Sequence, residues 1–442
     1  MRLTIPDLNL TMDEGFSPEV DIFSRKEFGE RLSNLIINSN ENLVLALDSQ
    51  WGEGKSTFIK MWCGENQNQS ENSFQAIYFD AFENDYQKDP FLALASEIYE
   101  LLEDSTEVKR TEFKEKATKV FKAFSRGLIK AGVKVGTAGL IDGSDIDKAE
   151  KELSTLLADQ VDSVIASKFE SSKADKLALS NFKSFISDIA INHTKGNRIV
   201  FVIDELDRCR PDFALELLEK IKHLFSVPGI TFLLVMNRSQ LEESVKSRYG
   251  IGIDSSTYLQ KFINVWLALP RVDSQNYNDF GEIFAQSCLN KMAANEPILN
   301  KEAFGTLSKL IKYNQPSFRD IERMLTYFAI IENVRNDQMV KYFQSMMALV
   351  CYLKVASPRL LDSIIKRNVT HTDVLKSLRL ENPELLDCYV LEYLAVEIEF
   401  DLASEERRTQ MFEQNLLDRF EMRRIPPNVI GYFCGLLNNM HP

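Results

Sequence analysis

Between an apolar run, Leu43-Val-Leu-Ala-Leu-Asp48, and a helical stretch, Phe58-Ile-Lys-Met-Trp62, stands Trp51-Gly-Glu-Gly-Lys-Ser-Thr57. Glycines at this spacing let backbone N–H groups turn inward around anionic oxygens, and the positive end of a following helix adds to the field. That is phosphate-binding chemistry. The amides of Gly52, Glu53 and Gly54 form the cradle, Lys55 reaches β and γ phosphates, Ser56 offers a hydroxyl to Mg²⁺ and Thr57 bonds an α phosphate. The full pattern, G-x-x-x-x-G-K-[ST], departs at its first glycine, which is Ser49 here. A side chain at that point is expected to strain the turn.

A second chemical signal lies about a hundred and fifty residues on. Ile199-Val-Phe-Val-Ile-Asp204-Glu205 is an apolar strand ending in two carboxylates. Such a pair holds Mg²⁺ and activates water beside a bound triphosphate. Asp204 is expected to orient the metal through its waters, and Glu205 to act as the base that positions or deprotonates the attacking water. The base read by the site is adenine rather than guanine, because Asn237-Arg-Ser-Gln240 lacks the Asp of an N-K-x-D motif.

Five short apolar runs must position these groups: Leu43 to Asp48, Phe74 to Phe79, Arg198 to Ile203, Ile230 to Met236 and Asn264 to Leu269. Helical patterns separate them at Pro90 to Leu102, Pro211 to Phe225 and Ser239 to Arg248, which predicts an α/β fold with a mostly parallel sheet covered on both faces. More than a hundred charged, helical residues intervene between the second and third runs, far beyond an ordinary connection. The predicted organisation is an N-terminal segment and helix (1–40), the first half of the nucleotide-binding core (41–109), a helical insertion (110–187), the second half of the core (188–275) and an all-helical C-terminal domain (276–442). Helical spacing recurs through the last of these, from Phe280 to Glu399, without a further strand.

Composition narrows the classes. The 442 residues are 44% hydrophobic and 26% charged, which excludes collagen and bulk disorder. A net charge of −13 has the wrong sign for a protein coated in nucleic acid. Six cysteines without CxxC or Cys/His spacing read as buried thiols in a reducing cytoplasm, and His193, His223, His371 and His441 share no metal or triad spacing. No secretory signal is visible, and the longest uncharged stretches, His223 to Asn237 and Ile425 to Pro442, are broken by proline and fall short of the ~20 apolar residues of a spanning helix.

These motifs resemble the KAP family of P-loop ATPases, in which a W-G-x-G-K-[ST] loop precedes a strand ending in D-[DE]-L-D-R-C. This chain carries Trp51-Gly-Glu-Gly-Lys-Ser and Asp204-Glu-Leu-Asp-Arg-Cys209. Tyr78-Phe-Asp-Ala-Phe82 matches with Asp80 and Phe82 where the family usually has Asn and Trp; Asp21, Arg25, Tyr258-Leu-Gln-Lys-Phe262, Pro270 and Ser317-Phe-Arg-Asp-Ile-Glu-Arg323 extend the likeness over most of residues 20 to 335. The resemblance implies a P-loop NTPase core of the additional-strand (ASCE) type with strand order 5-1-4-3-2. It further implies that Asn237 stands at a polar sensor position facing the γ phosphate, where Asp is commoner, and that Arg319 is the arginine a helical lid brings to the nucleotide. Arg208 and Arg210 are candidates for an arginine finger.

The insertion opens a separate possibility. Lys114 to Lys134 holds seven basic residues against Glu115 alone, and Lys122, Arg126, Lys130 and Lys134 form one helical stripe. A basic amphipathic helix can lie on an anionic membrane surface, grip a nucleic-acid backbone or pack on a protein partner. The expectation is therefore a Mg²⁺-dependent ATPase working as a conformational switch with a protein partner or as a homo-oligomer, cytoplasmic or peripheral to the inner membrane. Family members include a phage-exclusion protein, so the resemblance implies antiphage defence. The alternative is a non-hydrolysing, nucleotide-bound scaffold at the membrane that recruits a separate effector; an ATP-driven nucleic-acid remodeller is a third reading.

Overall fold

The computed structural model describes residues 1–6, 14–39, 42–68, 74–87, 89–102, 106–125, 161–193, 198–271, 279–294, 296–381, 388–414, 416 and 428–438. Five strands form one sheet: β1 (Val44–Asp48), β2 (Gln75–Asp80), β3 (Ile199–Asp204), β4 (Ile230–Met236) and β5 (Val265–Ala268). Their order is β2-β3-β4-β1-β5, the expected 5-1-4-3-2 seen from the other edge. Every pairing is parallel. The registers Asp80↔Asp204 and Asp48↔Met236 bring the carboxyl ends of the four strands β1 to β4 to one rim.

Central strands buried on both faces explain the apolar runs, since neither face meets water. Ile199, Phe201 and Ile203 enter one core with Phe232 and Leu234, while Val200 and Val202 enter the other with Leu233 and Val235. The first face is covered by helices Pro90–Glu100 and Pro211–Lys220, the latter running on into a π-helical turn at Ile221–Phe225. Helices Lys26–Asn38 and Lys55–Asn68 cover the second through Leu32, Ile36, Phe58, Ile59 and Trp62. Trp62 is buried and its indole N–H donates to Gly29 O at 3.1 Å and Ser33 Oγ at 2.9 Å, so it is a core residue.

The chain between the second and third strands joins this core at both ends. Helix Glu107–Ser125 contributes Phe113, Val120 and Phe121, and helix Val161–His193 contributes Phe182, Ile186 and Ile189. The Phe182 ring packs on Phe91 and Phe225, with centroids 5.5 and 5.9 Å away. The apolar side of the basic stretch is thus taken up by protein wherever it is described. Lys114 sits over the Tyr99 ring, and Lys116 over Phe185 while pairing with Glu112. Arg126, Lys130 and Lys134, three members of the basic stripe, lie outside the described residues. No helix among the described residues is long and apolar enough to cross a membrane.

From Phe280 onward the described elements are all helical, with a core of their own. Several of its buried polar residues are satisfied by bonds within the domain. Asp401 accepts from Tyr342 Oη at 2.7 Å and from the Val429 and Ile430 amides at 2.8 and 3.3 Å, capping the helix Val429–Asn438. Glu332 accepts from the Leu299 and Asn300 amides and from Asn300 Nδ2. Such bonds hold the helices in fixed register, because a buried polar group without a partner costs ~1 to 3 kcal/mol. The helix Phe318–Arg335 therefore presents its N-terminus rigidly to the sheet's carboxyl rim.

Candidate functional site

The loop after β1 turns through Gly52 and Gly54, with φ of +78° and +77°. Those angles are open to glycine at little cost and to few other residues. Ser49 does not share them, because it is absent from the described non-glycine residues with positive φ, and so the strain expected there does not arise. Its hydroxyl instead donates to the Glu53 carboxylate, which also accepts from the Gln50 amide at 3.1 Å and from Arg271. Glu53 is thus a buried brace of the loop.

Lys55 is also buried, its Nζ donating to Ser49 O at 2.6 Å and Gln50 O at 2.9 Å. Burial lowers its pKa, against the opposing pull of Asp207, Asp204 and Asp48. Across the loop Asp204 ends β3 with 1% exposure. Its carboxylate accepts from Tyr78 Oη at 2.9 Å and from the Glu205 amide at 2.8 Å, and the Ser56 side chain lines the same cavity. Burial raises the Asp204 pKa, and the neighbouring Ser56, Tyr78 and Glu205 amide hold it back. The loop and the second carboxylate motif, far apart in the chain, meet here.

Glu205 stands next in a left-handed conformation, φ +57° and ψ +26°. This turn ends the strand and sets its carboxylate at the rim. Both carboxylate oxygens lie 2.7 Å from Arg208 Nη1. Burial is the largest influence on Glu205 and raises its pKa; Arg208 opposes it, and Asp80, Asp204 and Asp207 add to it. Asp207 in turn accepts from the Trp51 indole, so Trp51 is a half-exposed residue of the rim and does not join the core.

These groups surround a cavity of about 370 Å³. Gly52, Gly54, Lys55, Ser56, Thr57, Asp204, Glu205, Arg208 and Arg319 all line it. Val20, Ile22, Phe23, Met61, Phe284 and Phe318 supply the apolar part of its lining. Phe318 stacks on Phe23 and Phe284 at 4.8 and 4.6 Å. The helical domain closes on the loop tightly: a Cβ built on Gly52 would come within 2.9 Å of Arg319 Cβ. The Ser317 hydroxyl accepts from the Asp320 amide and so fixes the first turn that carries Arg319.

Two expected site residues lie elsewhere. Asn237 does not line the cavity; its Oδ1 accepts from the Ser239 amide and hydroxyl, capping helix Arg238–Tyr249. Arg210 is tied to Asp85 by its main-chain N–H, Nε and Nη2, which leaves Arg208 as the arginine of that pair at the cavity. Tyr78 and Asp207 escaped the reading of individual residues. Both stand inside motifs that flag the site, and alternation in β2 does not say which side chains reach the rim.

The donor set suits Mg²⁺. Ser56 and Asp204 would offer two hard oxygen donors at one cavity, and no cluster of three or more His, Cys, Asp or Glu that could cage a metal occurs among the described residues. A cation held by one or two protein oxygens and completed by water and phosphate is how Mg²⁺ is commonly bound.

No curated protein matches this chain. Among solved structures, the ORC2 protein of Aeropyrum pernix is similar at 12% identity with a TM-score of 0.38. The match covers 99% of this chain and 98% of that one in the ADPNP-ADP complexes, and 93% and 96% in the ADP form. The model of the KAP family P-loop domain matches residues 25–336, which takes in the loop, the whole sheet and the helix that carries Arg319. With its five-stranded parallel sheet and phosphate loop, this chain belongs to the KAP family of P-loop NTPases.

Proposed function

We propose that this protein is a Mg²⁺-dependent ATPase whose nucleotide state sets the placement of the helical domain against the sheet. The observation that carries the reading is the meeting of Ser56 and Asp204, far apart in the chain, at one cavity that Lys55 and Arg319 also line. Ser56 and Asp204 would hold Mg²⁺, which when bound neutralises charge on the β and γ phosphates. The loop amides and Lys55 bind the same phosphates, and Arg319 meets them from the helical side. Glu205 positions the attacking water and accepts its proton. Closure by Phe23, Phe284 and Phe318 keeps bulk water from the cavity, where fixed charges act more strongly than in solution. The apolar lining favours a purine base, and with no guanine-reading motif that base is adenine. Antiphage defence, by analogy with the family, is the biological setting we favour.

Calorimetry with ATP, with and without Mg²⁺, tests the reading. Binding in the presence of Mg²⁺ and turnover that stops on chelation with EDTA are expected. A flat titration with both ATP and ADP would refute it.

One observation favours the second reading, a nucleotide-bound scaffold with little turnover. Arg208 holds both oxygens of the Glu205 carboxylate, so the base is engaged by a neighbour. If that contact restrains catalysis, Arg208→Ala raises the turnover rate severalfold at saturating ATP. An unchanged or lower rate would show that Arg208 is no brake on Glu205.

A further inference from the structure

Arg25 precedes the helix Lys26–Asn38 and is only 3% exposed. It has no carboxylate at ion-pair distance among the described residues. Asp21, four residues before it, spends its two oxygens on the Arg25 and Lys26 amides, at 2.8 and 3.0 Å. The guanidinium lies over the rings of Phe23, Phe280 and Phe318, 4.7, 5.4 and 6.0 Å from their centroids. Burial lowers its pKa to about 10, and Nε has no hydrogen-bond partner among the described residues. As a stabilising device this is a poor one, because an apolar side chain of similar volume commonly serves a buried site as well as or better than an ion.

Its two terminal nitrogens show what the charge does. Nη1 donates to Glu53 O at 3.2 Å, and Nη2 donates to Pro270 O at 3.0 Å. Glu53 O belongs to the peptide that joins Glu53 to Gly54, in the middle of the phosphate loop. All described peptides are trans, and in a planar trans peptide the C=O and the N–H point to opposite sides. Holding Glu53 O toward Arg25 therefore turns the Gly54 N–H away from Arg25. Gly54, at φ +77°, has no side chain to oppose rotation of this peptide, so an outside hold is what keeps it from flipping.

We propose that Arg25 is a positioning residue of the phosphate loop: by fixing the Glu53 carbonyl outward it aims the Gly54 amide at the bound phosphate chain. The hold is anchored on the chain that leaves β5, through Pro270, and on the first turn of the Arg319 helix, through Phe318. A planar fork is needed to span two carbonyls while lying over aromatic rings, and an ammonium cannot do both. The inference rests on the nucleotide reading given above and adds to it a group that never touches the nucleotide.

The test uses Arg25→Met and Arg25→Lys in the full chain, with ATP and inorganic tripolyphosphate as ligands in calorimetry. Wild-type protein is expected to bind both. Each variant is expected to keep a cooperative thermal transition and to lose about tenfold to a hundredfold in affinity for both ligands alike, the order of one amide-to-phosphate bond. Unchanged affinity for ATP in a folded Arg25→Met would overturn the proposal. So would a loss confined to ATP, which would place the effect at the aromatic lining formed by Phe23 and Phe318 rather than at the loop. Should Arg25→Met fail to fold, Arg25→Lys decides alone on the same two criteria. Wild-type protein that binds neither ligand would instead refute the nucleotide reading itself.

Discussion

Lys55→Ala abolishes ATP binding measurable by calorimetry, a loss of at least a hundredfold. Nζ is the one cation on the loop that faces Asp204, Asp207 and Asp48. Without it the cavity meets a triphosphate with carboxylates on one wall and no lysine on the other, a like-charge arrangement that costs several kcal/mol at close range. The lysine also ties Ser49 O and Gln50 O, so its removal loosens the loop that must present its amides. Both effects act in the same direction. Circular dichroism of the variant should match wild type, since the sheet cores contain no part of this side chain. A dissociation constant within threefold of wild type would show that the loop does not bind phosphate through Lys55.

Glu205→Gln binds ATP as tightly as wild type or more so, and turns it over about 10² to 10⁴-fold more slowly. The amide keeps the size of the carboxylate and cannot take up a proton. Burial and the neighbouring Asp80, Asp204 and Asp207 raise the pKa of the native carboxylate, which makes it a better base than an ordinary glutamate, while Arg208 works the other way. The substitution also removes the ion pair with Arg208, so the guanidinium is released toward the cavity and adds positive charge beside the phosphates. Retained nucleotide in the purified variant, read by chromatography of the denatured protein, separates slow chemistry from failed binding. A rate within tenfold of wild type would remove Glu205 as the base.

Much of the site could be read from residue order. A glycine-rich turn between a strand and a helix binds phosphate through local geometry, and local geometry follows from local sequence. The five apolar runs could be placed to within a residue or so; the three central strands are buried on nearly every position, which admits little but apolar residues, while the edge strands β2 and β5 are only partly buried. Where Asn237 points was harder to read. At the end of β4 its carbonyl can meet either the cavity or the helix that begins at Arg238, and the two uses look alike on paper. The basic stretch was legible as a charge pattern, yet Phe113, Val120 and Phe121 join the core under the sheet, Phe113 against Phe182 far along the chain.

Residue types and their spacing were thus enough to establish that this protein has a phosphate loop, a paired carboxylate and a parallel sheet, since each is a property of a few consecutive residues. Folding alone settled which groups share the cavity. Arg25 touches Glu53, Pro270, Phe280 and Phe318, all distant from it in the chain, and Ser49 keeps an ordinary backbone while its hydroxyl bonds Glu53. Contacts of that kind depend on how helices and strands come to rest against one another, and packing over such separations leaves no periodic mark on the sequence.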